Sequence, residues 1–198
     1  MIVLRALVNR MRRGLARWLW HRMLFGERSQ GQWRPHTRIA PTTCIDHEDR
    51  LALGDHVYIG PYNFIEASAG VTIGEGTQLT HHSSIVTHAS HRAQRLLGPR
   101  FVDWAQPQPR PGWVAAPVVI GPYCFIGPHS VIEAGTTLGR GCIVRAGSVV
   151  RGHFPDHAVI GGNPAQVVGD ARRADVRWLD RHPELRAGYE AWAGRSEP

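Results

Sequence analysis

Aliphatic residues recur every six positions along most of this chain. The first series is Leu53, Ile59 and Ile65. After a skip of two residues it continues with Ile73, Leu79 and Ile85. Past a long interruption it resumes at Ile120, Ile126, Ile132, Leu138, Val144 and Val150. The residue after an anchor is often small or acidic: Gly54, Gly60, Glu66, Gly74, Gly121, Gly127, Glu133 and Gly139. Four positions after an anchor sits a small residue such as Thr77, Ser83, Ala89, Cys124, Ser130, Thr136, Cys142 or Ser148. A helix repeats near 3.6 and a half-buried strand near 2, so neither accounts for a period of six. A stacked β-helix does: each repeat is one short strand and a turn, three repeats make a triangular coil, and each coil buries its aliphatic positions against those above and below.

Length fits one domain with short additions. The spacing predicts an N-terminal basic amphipathic segment over 1–29, a repeat domain over 30–168 with an external loop at 91–117, and a short C-terminal helical tail over 169–198. Within the first segment a helix is expected over 3–25, with Leu4, Leu7, Val8, Met11, Leu15, Trp18, Leu19 and Met23 on one face. Residues 1–26 also hold six arginines and no acid, so much of the net charge of +7 is local. Such a helix suits an anionic membrane surface, and packing on the solenoid or a neighbouring subunit is the alternative. It does not read as a membrane span or as a signal peptide, because arginines interrupt it. Without an RRM, zinc-finger or helix-turn-helix pattern, no nucleic-acid partner is expected, and the composition reads as cytoplasmic. Cys44, Cys124 and Cys142 form no CxxC, and the last two are expected to stack as small core residues.

Two further stretches carry the chemistry. The first is Ser84 to Arg92, which places His88 and His91 where the period gives way to the 91–117 loop. The second runs from Ile143 through Ala146 and Gly147 to Val150 and on to Gly162-Asn163-Pro164-Ala165. With the repeats, these resemble the hexapeptide-repeat acyltransferases over about residues 53–168, and specifically the sugar, polysaccharide and xenobiotic O-acetyltransferases. The resemblance implies a left-handed parallel β-helix, a homotrimer with its active site between subunits, acetyl-CoA as co-substrate and a saccharide acceptor.

It further implies a catalytic His at the loop junction. His91 matches the xenobiotic branch, six residues after its anchor and followed by Arg; His88 is the runner-up, ahead of His81 and His82. A neutral imidazole near the working pH suits the general base that takes the acceptor's proton. Asn63, the polar exception among small inward residues, is the first candidate to orient it, and Asp103 the second. Trp104 and Trp113 would form a platform for a sugar ring or clamp the loop.

Coenzyme A is expected along Ala146, Gly147, Asn163, Pro164 and Gln166. The family commonly has Lys or Arg after the Pro-Ala pair; Gln166 stands there, so Arg172 and Arg173 are expected to replace the missing cation. No metal site is expected. The competing readings are an antibiotic acceptor, a zinc hydratase resembling the gamma-type carbonic anhydrases, and a non-catalytic scaffold.

Overall fold

The computed structural model describes residues 2–194. Met1 and residues 195–198, at the ends of the expected first and last segments, lie outside the described residues.

The repeats build a three-faced prism of short parallel strands. The first face stacks Arg38–Ile39, Tyr58–Ile59, Gln78–Leu79, Phe125–Ile126, Ile143–Val144 and Ala158–Gly162. It ends in an antiparallel hairpin with Ala165–Asp170. The second face stacks Cys44–Asp46, Phe64–Glu66, Ser84–Val86, Val131–Ile132 and Val149–Val150. The third stacks Leu51–Leu53, Val71–Ile73, Val118–Ile120, Thr137–Leu138 and His153–Phe154. The aliphatic anchors stand in register from coil to coil: Ile59 with Leu79, Leu79 with Ile126, Ile65 with Ile85, Ile85 with Ile132. Every anchor from Leu53 to Val150 is buried in one continuous core.

The small inward residues tie the corners together. Thr77 Oγ1 donates to the Gly121 carbonyl at 2.8 Å, Ser83 Oγ to Gly127 at 3.2 Å and Ser130 Oγ to Arg145 at 3.1 Å. Cys124 and Cys142 fill the same positions and donate to the Gly139 and Pro155 carbonyls. Short side chains are needed here because the coils approach closely. A Cβ on Gly74 would lie 2.4 Å from the Pro122 backbone nitrogen, so the glycine after that anchor is fixed by sterics.

Helix α1 spans Ile2–Trp20. It stops five residues short of the expected end because Phe25 folds back under Arg38, whose guanidinium lies 4.7 Å from its ring, as the chain enters a small hairpin of Glu27–Ser29 with Gln32–Arg34. The interruption is not structureless. It carries helix α2 (His91–Leu97), a 3-10 turn (Gly98–Phe101), and a strand, Val114–Ala115, that returns antiparallel to His88–Ala89. Ala93 and Leu97 bury one side of α2, which the six-residue period could not foresee. The tail forms helices α3 (Arg172–Leu179) and α4 (Arg186–Ala193) around a 3-10 turn at Pro183–Leu185. Trp192 stacks on Tyr123 at 4.6 Å, and its carbonyl accepts from Arg140, docking the tail on the prism.

Candidate active site

The second face ends at the corner where the loop leaves the prism, and a buried carboxylate sits there. Glu66 closes its strand one coil away from Val86, with which it is in register. That register puts its side chain beside the chain segment leading into His88. Glu66 Oε1 accepts from the Ser68 backbone N–H at 2.7 Å. Oε2 accepts from the Thr87 N–H at 3.0 Å, the Thr87 hydroxyl at 2.8 Å and His88 Nδ1 at 2.8 Å. Burial pushes the Glu66 carboxyl up, but the hydrogen bonds from Ser68 and Thr87 outweigh it and hold the group down at about 2.

The contact also selects a tautomer for the neutral His88 ring. An ionised carboxylate only accepts, so Nδ1 carries the proton and Nε2 of the neutral ring is left with a free lone pair. The ring is also held in plane. Trp113 stacks on it with centroids 4.9 Å apart and planes 6° apart. Phe101 backs Trp113, and Arg110 lies 4.8 Å over Phe101 while donating to its carbonyl. The loop therefore locks one imidazole between a carboxylate and an indole.

His91 lies at the first position of α2 and is exposed; among the described residues its ring has no hydrogen-bond partner. His88 and His91 do share one cavity of about 170 Å³, whose lining includes Arg92, Glu133 and Arg151. Beside it, Trp104 and Trp113 line a groove of about 320 Å³ together with Arg110. Trp104 is braced by its indole N–H donating to the Gln108 carbonyl at 2.9 Å.

Asn63 makes its hydrogen bonds away from both histidines. Its amide donates to the Gly60 and Thr80 carbonyls and its oxygen accepts from the Ser83 N–H, so its hydrogen-bonding capacity is used in closing a coil corner. Asp103 is exposed on the loop. Glu66 was legible only as the acidic member of a series of glycines. Reading the coil length as 20 residues, from Ile65 to Ile85, would have placed it within reach of His88.

Ala146, Gly147 and the Asn163–Gln166 turn come together at the corner between the first and second faces. Gly147 donates to the Pro128 carbonyl one coil away, and Gly162 N–H reaches Ser148 Oγ at 3.3 Å. Gly147 adopts φ +71° and faces open space. Arg172 and Arg173 do not join this corner. They follow the far end of the strand Ala165–Asp170, about 17 Å away along the strand, and line a separate cavity of about 410 Å³. The Arg172 guanidinium is held by Asp170, with Nη2–Oδ2 at 2.6 Å. The cation at the Ala146–Gly147 corner is Arg145, exposed and laid across Gly161, where an added Cβ would meet its Cδ at 2.9 Å.

The family model for bacterial transferase hexapeptide (six repeats) matches residues 117–152, the stretch that stacks the lower coils. Over these residues the chain resembles the hexapeptide-repeat transferases. Its fold is the left-handed parallel β-helix of solved hexapeptide-repeat acetyltransferases. A probable acetyltransferase of Mycobacterium tuberculosis is 34% identical over 64% of this chain and 39% of its own length. A putative lipopolysaccharide biosynthesis O-acetyl transferase of Escherichia coli, WbbJ, is 32% identical over 65% of this chain and 64% of its own. The chain thus spans less than two thirds of both curated relatives. The crystal structure of a hexapeptide-repeat acetyltransferase from Vibrio cholerae complexed with acetyl coenzyme A superposes with a TM-score of 0.60, at 23% identity, covering 82% of this chain and 78% of that one.

Proposed function

We propose that this chain is an acetyl-CoA-dependent O-acetyltransferase acting on a saccharide hydroxyl, with His88 as general base and Glu66 as its positioning residue. The single observation that carries this reading is the His88–Glu66 pair at the root of the loop. It supplies an imidazole whose Nδ1–H is held by a buried carboxylate beside a groove walled by two tryptophans. The acceptor hydroxyl gives its proton to Nε2 as its oxygen attacks the thioester carbonyl. The tetrahedral intermediate then collapses, expelling the coenzyme A thiolate, which is protonated as the acyl ester forms. No protein nucleophile is required, because the thioester is already activated. The relative named for lipopolysaccharide biosynthesis supports a surface-polysaccharide acceptor.

The donor corner and the base lie at opposite edges of the second face within one chain. A neighbouring copy packed on that face brings its Ala146–Gly147 corner to the His88 of the first, which supports a homotrimer. Phe64, Val131 and Val149 project outward from this face as a ready apolar contact. The deciding experiment is release of free thiol from acetyl-CoA in the presence of a panel of saccharides and antibiotics. Saccharide-dependent release supports the reading, and release with antibiotics alone moves the acceptor to the xenobiotic class. Absence of coenzyme A binding would leave only a scaffold.

Arg145 takes the place of the cation missing at Gln166. Arg145→Ala is expected to raise the KM for acetyl-CoA about tenfold with kcat nearly unchanged, the pattern of lost uniform binding. Arg172→Ala with Arg173→Ala is expected to leave that KM within about twofold. The reverse ranking would return the phosphates to the tail.

Helix α1 docks the enzyme on an anionic membrane surface. No helix of the described residues is long and apolar enough to cross a membrane. Leu4, Leu7, Met11, Leu15 and Trp18 line one exposed face, while Arg5, Arg12, Arg13 and Arg17 occupy the other side. Met11 and Trp18 are 66% and 61% exposed, so the apolar stripe is not spent on the prism. Deleting residues 1–26 should abolish sedimentation with phosphatidylglycerol vesicles and leave turnover of a soluble acceptor intact. Full-length protein that ignores such vesicles would assign the stripe to a neighbouring subunit.

A further inference from the structure

We propose that the corner between the first and second faces binds one transition-metal ion through His81, His82 and His129. His81 and His82 follow the strand Gln78–Leu79, and His129 follows Phe125–Ile126 on the next coil. His82 and His129 occupy the same place in successive turns, both left-handed with φ 56° and 58°, and their rings stack at 5.1 Å. His81 stands edge-on to both, at 5.2 Å from His82 and 5.7 Å from His129. The His129 N–H donates to the His81 carbonyl at 3.3 Å, which fixes the two coils against each other.

One ring nitrogen from each residue lies within 4.8 Å of the other two. His81 Nδ1 and His82 Nδ1 are already 3.0 Å apart. Imidazole nitrogens bound to one zinc-like ion at about 2.0–2.1 Å are separated by roughly 2.9–3.4 Å for angles between square and tetrahedral. The first pair therefore has the bite of a chelate, and the third ligand, within 4.8 Å of the others, closes by a swing of at most about 2 Å of an exposed ring. Three imidazoles with no acid among them suit zinc, nickel or copper, and not calcium or magnesium.

The backbone does not call for histidine here. Gly147 occupies the equivalent left-handed position one coil further on, with φ +71°. Among the described residues no carboxylate pairs with any of the three rings; the ring against them is Tyr62, tilted against His82 at 4.9 Å. The cluster is also separate from the base: the strand Ser84–Val86 lies between it and His88. The two halves of the site come from coils on either side of the 91–117 insertion in sequence. A bound ion would pin together the segments that the insertion separates, and so stabilise the fold by linkage.

The test uses tag-free full-length protein, stripped by dialysis against chelator and then given Zn²⁺ or Ni²⁺. One equivalent should remain per chain after gel filtration. At about 100 times the dissociation constant, Tm should rise by about 5 °C or more. His129→Ala and His81→Ala should each lose the bound equivalent and the Tm shift, while their metal-free Tm values match the wild type and show that they fold. His36→Ala, which opens the separate His36–Asp55–His56 group, should keep both. Retention of metal by His129→Ala with loss in His36→Ala would overturn the proposal. So would a wild-type chain that retains no metal at about 100 µM.

Discussion

His88→Ala is expected to lower kcat by about 10²–10⁴-fold, the range lost when a general base is removed. The KM for acetyl-CoA should stay nearly constant, because Nε2 faces the acceptor hydroxyl and not the cofactor's nucleotide end. His91→Ala should cost less than about tenfold. His91 shares the cavity, so its loss can disturb acceptor binding, but its ring has no partner to fix a tautomer. The two variants have a built-in control for folding. Both positions are at the loop corner, outside the aliphatic stack that holds the coils, so both proteins should melt close to the wild type. A dead His91→Ala beside a near-normal His88→Ala would return the role to the residue favoured by sequence spacing. Near-normal activity of both would remove this corner from the chemistry. Trp113→Ala extends the same logic: it frees the ring stacked on it, so kcat should fall while Glu66 still holds Nδ1.

The prism itself could be read directly from the sequence, because one physical requirement repeats. Each coil must offer an aliphatic group inward at each face, and the side chains of Ile59, Ile65, Ile73, Leu79, Ile85, Ile120, Ile126 and Ile132 all do so with no measurable exposure beyond 1%. The two-residue skip between Ile65 and Ile73 was visible too, and it marks the wider corner around Ala67–Gly70. What the period does not encode is which outward or corner groups meet. The Glu66–His88 contact joins residues 22 apart, and it depends on a coil of 20 residues and not 18. The helix α2 was hidden for a different reason. Its buried side is only Ala93 and Leu97, too few positions to announce a helical period.

The corner expected to hold coenzyme A was drawn from resemblance, and the fold brings Ala146, Gly147 and the Asn163–Gln166 turn together there. The fold does not bring Arg172 and Arg173 to that corner, because sequence proximity ignores strand direction. The antiparallel return Ala165–Asp170 carries the chain away from the turn, and Asp170 then binds Arg172. Arg145 lies twenty-one positions before Gln166 but is nearer in space, across Gly161.

Glu66→Gln is expected to reproduce most of the His88→Ala loss without removing the imidazole. The amide offers one acceptor oxygen where the carboxylate offers two. It must turn its NH₂ either toward the Ser68 N–H or toward the Thr87 and His88 donors. In the second arrangement Nδ1 becomes an acceptor, the proton moves to Nε2, and the ring can no longer act as base; kcat should fall by about 10²–10⁴-fold. A merely structural role would lower stability and leave the tautomer alone, so nitrogen NMR of the His88 ring separates the two. Stability carries its own signature. The folded carboxyl sits at about 2 against an ordinary 4.5, a difference equivalent to about 3 kcal/mol. Because the folded value is depressed, that contribution is fully present above about pH 4.5 and is lost as pH falls through about 2. Urea unfolding should therefore show wild type and Glu66→Gln separated near neutrality and converging by about pH 2. A gap that stays constant across that window would mean that Glu66 is not ionised in the folded chain, and the fixed tautomer of His88 would fall with it.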